Sequence, residues 1–249
     1  DWRRRLLPAK IEAKGDKLDQ ALLIGDQLRT IAEQQNWSNQ LVSAYQLRAE
    51  LFERKSEWSK AGQEYLHLLK DGLPPAIRRR AFLNVARLRI RDGDFPRALS
   101  VLRHLHQQAA LKSIQPFADC MIGEIHLSLH RAGEKDQLSS ATAHFEKTAM
   151  QDQDTSLQAR ALWGLAQCRL LDGQTTQAKE SMHKALEIVK NKDVRAWIQY
   201  RLALEHSRQG IHDAAILGFQ NVRTNALEGI SAELLNAARF MQFKNALAG

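Results

Sequence analysis

The chain has 249 residues, of which 44% are hydrophobic and 26% charged, with a net charge of +8. This balance is ordinary for a folded protein and excludes an extended low-complexity tract. No run approaches 18 apolar residues, so no helix is expected to cross a membrane. The chain opens at Asp1 with no methionine or signal-peptide pattern, and so reads as a fragment or a processed form.

In chain order, residues 1–14 give a weak first helix carrying Pro8, and residues 16–35 a second helix centred on Ala21 and Leu28. The next stretch places Tyr45, Ala49 and Phe52, then Ala61, Tyr65 and Leu68, at helix-face spacings. Beyond it, Phe82, Val85 and Ala86 lead to Gly93, and Ala98, Leu102 and Leu105 follow. Gly93 suits the left-handed residue that ends a helix, and Pro96 suits a first turn, where its missing N–H is not needed.

The pattern then recurs. Leu162, Leu165, Ala166 and Arg169 precede Gly173, after which Thr175 and Thr176 are candidate N-caps for a helix with Ala178, Met182 and Ala185 on one face. Leu202 and Ala203 precede Gly210, with Ala215, Phe219 and Val222 beyond. The alanines Ala61, Ala98, Ala141, Ala178 and Ala215 are separated by 37, 43, 37 and 37 residues. In the irregular unit Gly123 is assigned the small place, eighteen residues before Ala141 where other units have twelve, which predicts six inserted residues around "HRAGEKDQL". A fixed period of this size means hairpins of helices, each too thin to bury its own apolar face. The small residues stand where two helices approach closely.

Signs of chemistry are sparse. Cys120 and Cys168 read as buried thiols, with no metal-type spacing. His126 and His130 are four apart, as two metal ligands on a helix would be, but lack the intervening glutamate of a zinc protease. There is no phosphate loop, nucleophile elbow or dinucleotide fingerprint, so no catalytic residue, metal site or cofactor is expected.

The pattern of small, small and bulky residues with a turn glycine resembles the tetratricopeptide repeat family. Leu162, Leu165, Ala166 and Arg169 occupy the family's first-helix places, and Ala178, Met182 and Ala185 its second-helix places. The resemblance implies an all-α fold, an α-α superhelix of about thirteen antiparallel helices over residues 1–249. Within it, 1–14 and 16–35 form a degenerate N-terminal repeat, 38–226 five repeats, and 230–247 a capping helix. It also implies a concave groove lined by the first helix of each pair. Counting back from the alanines places Arg80, Arg87, Arg91, Phe117, Arg160, Trp163, Trp197, Tyr200 and Arg208 on that groove. An alternative for the aromatics is packing between neighbouring helices.

The implied function is a non-enzymatic scaffold for protein–protein interaction, a module of a larger bacterial protein or assembly that holds a protein or peptide. An acidic partner suits the arginines. The rivals are a sensory or regulatory domain of a signalling or transcription protein, and a basic solenoid on nucleic acid, ranked lower. The family's terminal-carboxylate clamp is missing around Asn84. A cytoplasmic location is expected, or a periplasmic one if an anchor precedes the fragment.

Overall fold

The structure is a computed structural model that describes residues 2–70, 73–107, 109–151, 155–225 and 232–248. Among these residues there are thirteen α-helices and no strand. The chain divides into two compact units, Asp1–Ala118 and Asp119–Gly249. The first holds α1 (Trp2–Lys14), α2 (Leu18–Gln34), α3 (Ser38–Arg54), α4 (Trp58–Leu66), α5 (Pro75–Arg91) and α6 (Phe95–Gln107). Helix α7 (Gln115–Arg131) runs through the boundary. The second unit continues with α8 (Gln137–Ala149), α9 (Thr155–Leu171), α10 (Thr175–Ile188), α11 (Lys192–Arg208), α12 (His212–Asn225) and α13 (Ala232–Ala248). Residue 226, the expected end of the fifth repeat, and residues 230 and 231 of the expected capping helix lie outside the described residues.

One local geometry recurs at every turn from the first helix of a pair to the second. Gly93, Gly173 and Gly210 have φ of 75°, 76° and 73°, as their placement in the sequence predicts. The pairs that lack a turn glycine use Asp16 (φ 60°) and Ser56 (φ 59°) instead, and Asn36 (φ 53°) serves the turn from α2 to α3. A side chain in this region costs energy that glycine avoids. The backbone bonds show why the cost is borne. At Gly173 the Gly173 and Gln174 N–H groups donate to the Leu170 and Arg169 carbonyls, and at Ser56 the Ser56 and Glu57 N–H groups donate to the Glu53 and Phe52 carbonyls. Each turn therefore satisfies carbonyls that the helix end leaves open.

The turn residue also sets the packing register. Seven residues before it stand Ala9, Ala49, Ala86, Ala166 and Ala203, and five after it Ala21, Ala61, Ala98, Ala178 and Ala215. All ten are buried to within 1% of full burial. With a methyl group at each place, the helices of a pair can approach closely while the bulky residues beside them interlock. Met182 and Ile198 join Ala166 and Ala178 in one buried cluster, and Phe219 joins Ala203 and Ala215 in another.

The irregular unit follows a different count from the expected one. Seven residues before Gly133 (φ 111°) stands His126, not Gly123. Ala141 lies eight residues after that turn, so the insertion is three residues, Glu134 to Asp136, rather than six. An imidazole now occupies the small place. His126 stacks on His144 at 5.9 Å, with its Nδ1 2.6 Å from Gln137 Oε1. Gly123 serves a different contact: it and Gly164 both lie against the Cδ1, Cε1 and Cζ atoms of the fully buried Phe145 ring of α8. The N-cap of α10 is likewise Gln174, with no side-chain capping bond, and neither Thr175 nor Thr176 caps it.

A Cβ at Gly164 would lie 2.4 Å from the Phe145 ring. Alanine at an ordinary helix site stabilises by roughly 1 kcal/mol over glycine. Here Gly164→Ala should instead destabilise by about 1–3 kcal/mol through overpacking. Urea unfolding measures it. A midpoint equal to or above the parent's would contradict the ring's position.

Candidate functional site

The first helices of the pairs from α3 onward, α3, α5, α7, α9 and α11, are each 17 residues long, as is α13. Equivalent places can therefore be read by position. Arg80, Arg160 and Trp197 are the sixth residues of α5, α9 and α11. Trp163 and Tyr200 are the ninth, Arg87 the thirteenth, and Arg91 and Arg208 the seventeenth. Phe117 is the third residue of α7 and half-buried, in the place of Leu157 and Val194, so it does not share these positions. That offset is the consequence of reading Gly123 as the small residue.

In the first unit Arg87 and Arg91 are engaged with the protein's own groups. Arg87 donates to both Glu53 oxygens at 2.8 and 2.7 Å, and Arg91 stacks over Trp58 at 4.3 Å. Glu53 also accepts from the Tyr65 hydroxyl at 3.3 Å. Burial, reinforced by the Glu53 charge, pushes that phenol up to about 12. Arg48 joins Glu64 and Asp26 at 2.9 and 3.0 Å. Arg80 is exposed.

In the second unit Arg160 is held by Glu124 at 2.5 and 2.6 Å, and Arg208 by Glu205 at 2.9 Å. The aromatics assemble differently. Trp163, Trp197 and Tyr200 line one open groove of about 410 Å³ together with Leu171, Arg131 and Arg201. Trp163 packs on the cluster of Ala166 and Met182, and Tyr200 on that of Ala215 and Phe219. Tyr200 meets Phe219 edge-on at 5.6 Å and Trp197 at 6.2 Å, and Trp197 remains 48% exposed. Trp163 and Tyr200 thus pack on buried clusters, and all three aromatics border this open site.

Arg131, Arg201 and Leu171 were not among the sequence candidates. Arg131 is two residues before Gly133, as Leu171 is before Gly173, so counting from the turn glycine rather than from Gly123 would have found it. Phe240 is not among the residues that line this groove. It is the ninth residue of α13, the place of Trp163 and Tyr200, and is 65% exposed. Helix α13 buries Leu234 and Ala238 in the cluster with Phe219, while Phe243 and Leu247 also stay exposed.

Among the described residues no three histidine, cysteine, aspartate or glutamate side chains could hold a metal ion together. His130 points its Nδ1 at the Lys135 carbonyl, 3.2 Å away, and His126 bonds Gln137. Burial pushes the free thiols of Cys120 and Cys168 up to about 12 and about 11, which makes them poor nucleophiles. No described helix is long and apolar enough to cross a membrane.

No family model and no curated protein matches the chain. Solved structures do. A chain of the APC/C hetero-tetramer Cut9–Hcn1 superposes with a TM-score of 0.59 at 16% identity, over 96% of this chain and 43% of that one. This chain thus spans less than half the length of that relative. A thermophilic tetratricopeptide repeat protein of Thermus thermophilus gives 0.59 at 16% identity, over 83% and 99%. BtubC from P. vanneervenii gives 0.57 at 14% identity, over 93% and 94%. The fold is therefore all-α and tetratricopeptide-repeat-like.

The bonds of Arg87 change what a substitution there should do. On an exposed surface Arg87→Glu would leave stability nearly untouched, but against Glu53 it places two carboxylates together. We expect a loss of about 1–2 kcal/mol in chemical unfolding, largely restored by the charge swap Arg87→Glu with Glu53→Arg. An unchanged midpoint in the single variant would remove the pair from the account.

Proposed function

We propose that the second unit binds an extended segment of a partner protein along the face that carries Trp163, Trp197 and Tyr200. The observation that carries this reading is a tryptophan left half open in a concave site whose floor is otherwise fixed by packing. Rigid aromatics of this kind lose little conformational freedom on binding and give large contact area, and so they recur as interface anchors. The charge around them supports an acidic segment. Arg131 and Arg201 line the groove; Arg201 pairs with Glu205 at 3.3 Å, while Arg131 donates to the neutral Gln167 amide and so keeps its charge for a partner. The protein would act as a scaffold, holding one chain in place without altering it.

A displayed library of random peptides, selected against the protein, tests the proposal. Selected peptides should quench or shift the tryptophan fluorescence, and Trp197→Ala should weaken them by about tenfold or more at an unchanged melting temperature. Peptides that bind the variant and the parent equally would place the interaction elsewhere. Labelled oligonucleotide that binds in their stead, with an affinity falling steeply as salt rises, would give the groove to nucleic acid.

A further inference from the structure

Helix α1, in the first unit, has a core-facing side and an outward side of different chemistry. Ala9 and Ala13 are buried in one cluster with Leu28 of α2 and Leu51 of α3, and Trp2 and Leu6 pack on it. Both ends of the helix are held. Trp2 meets Trp37 edge-on at 6.4 Å, and Arg54 Nη1 donates to the Ala13 carbonyl at 2.7 Å. The outward side is therefore presented at a fixed angle, already folded.

Each residue turns an α-helix by about 100°. Leu7 and Ile11 stand two residues either side of Ala9, so both point away from the core, and they are 54% and 57% exposed. Arg3, Arg4, Lys10 and Lys14 lie three or four residues from one or other of them, hence on the same face, and all four are exposed. The carboxylate of α1, Glu12, is turned back toward the core, half-buried and 3.6 Å from Lys17. No carboxylate pairs with Lys10 or Lys14 among the described residues. The face is an apolar ridge inside a border of cations.

We infer that α1 seats the protein on an anionic lipid surface, with Leu7 and Ile11 entering the acyl boundary and the four cations among the headgroups. The charge of the face complements such a surface, which attracts each nearby lysine or arginine. The branched side chains gain by leaving water, while the long cationic stems run beside them and keep their charged ends at the headgroups. Nucleic acid would match the charge, but Leu7 and Ile11 gain nothing from phosphate contacts. A second copy of the face would set cation against cation. The site uses no residue of the aromatic groove.

Co-sedimentation with vesicles tests the inference. The protein should bind an equal mixture of phosphatidylserine and phosphatidylcholine at least about twentyfold tighter than phosphatidylcholine alone. Raising salt from about 0.1 M to about 1 M should release much of it, as the Debye length shortens from about 10 to about 3 Å. Lys10→Glu with Lys14→Glu should weaken binding by roughly 25-fold or more, about fivefold for each cation lost. Leu7→Ser with Ile11→Ser keeps every charge and should still weaken it by about tenfold. All four residues are exposed, so both double variants should keep the parent's melting curve. The control Lys184→Glu with Lys190→Glu makes the same change of net charge at exposed sites of the second unit, and should bind like the parent. An equal loss in the control would trace binding to net charge and overturn the inference, as would unaltered binding by the serine variant or no vesicle binding at all. Labelled oligonucleotide bound equally by the parent and the serine variant, without vesicle binding, would give the face to nucleic acid. A dimer that the serine variant breaks, again without vesicle binding, would give it to a second copy, and either result overturns the lipid reading.

Discussion

The structure depends on how closely the two helices of a pair can approach beside their turn. Five pairs place alanine seven residues before a left-handed residue and alanine again five after it, and all ten methyl groups are buried. The turn and the contact enforce one another. The left-handed residue reverses the chain within two or three residues, and the alanines leave no bulk to splay the helices apart. Asp16 and Ser56 show how strongly the geometry is imposed, since both accept a conformation that glycine would adopt freely. Where the count is broken, at Gly133, the protein compensates with three added residues and a stacked pair of imidazoles.

The same register spaces the surface. Because the first helix of each pair has one length and one turn, any given position recurs from helix to helix, and a side chain chosen there becomes a row. In the first unit Arg87 and Arg91, at the thirteenth and seventeenth places, close on Glu53 and the Trp58 ring. In the second unit the sixth and ninth places carry aromatics, with Tyr200 against Phe219, Trp163 against the cluster of Met182, and Trp197 left half open. A strongly basic chain thus uses much of its positive charge internally, and the groove is distinguished less by its charge than by its tryptophans.

Much of this was legible beforehand. The alanine period and the turn glycines are short-range signals, and they gave the helix pairs and all-α class directly. The groove was legible only in part. Trp163, Trp197 and Tyr200 come together because their units follow the regular count, whereas Phe117 was misplaced because Gly123 imitates a small-position residue one helical turn too early. Gly123 is small for another reason: the Phe145 ring lies against it. The engagement of Arg87 with Glu53 joins residues 34 apart on different helices, and no local pattern announces such a pair. Phe240, the ninth residue of α13, escaped notice because a terminal helix reads as a cap.

The close approach of the paired helices can be measured by disulfide trapping. Cysteines placed at Ala86 and Ala98, and separately at Ala166 and Ala178, should cross-link under mild oxidation, because residues facing across such a contact meet the short Cα separation a disulfide needs. The buried thiols of Cys120 and Cys168 should take no part. Because all four sites are themselves buried, bridging should be slow and proceed through transient opening, but near-complete bridging within each engineered pair is the expected result. Free thiols persisting at both pairs in the folded protein would contradict the account at its base.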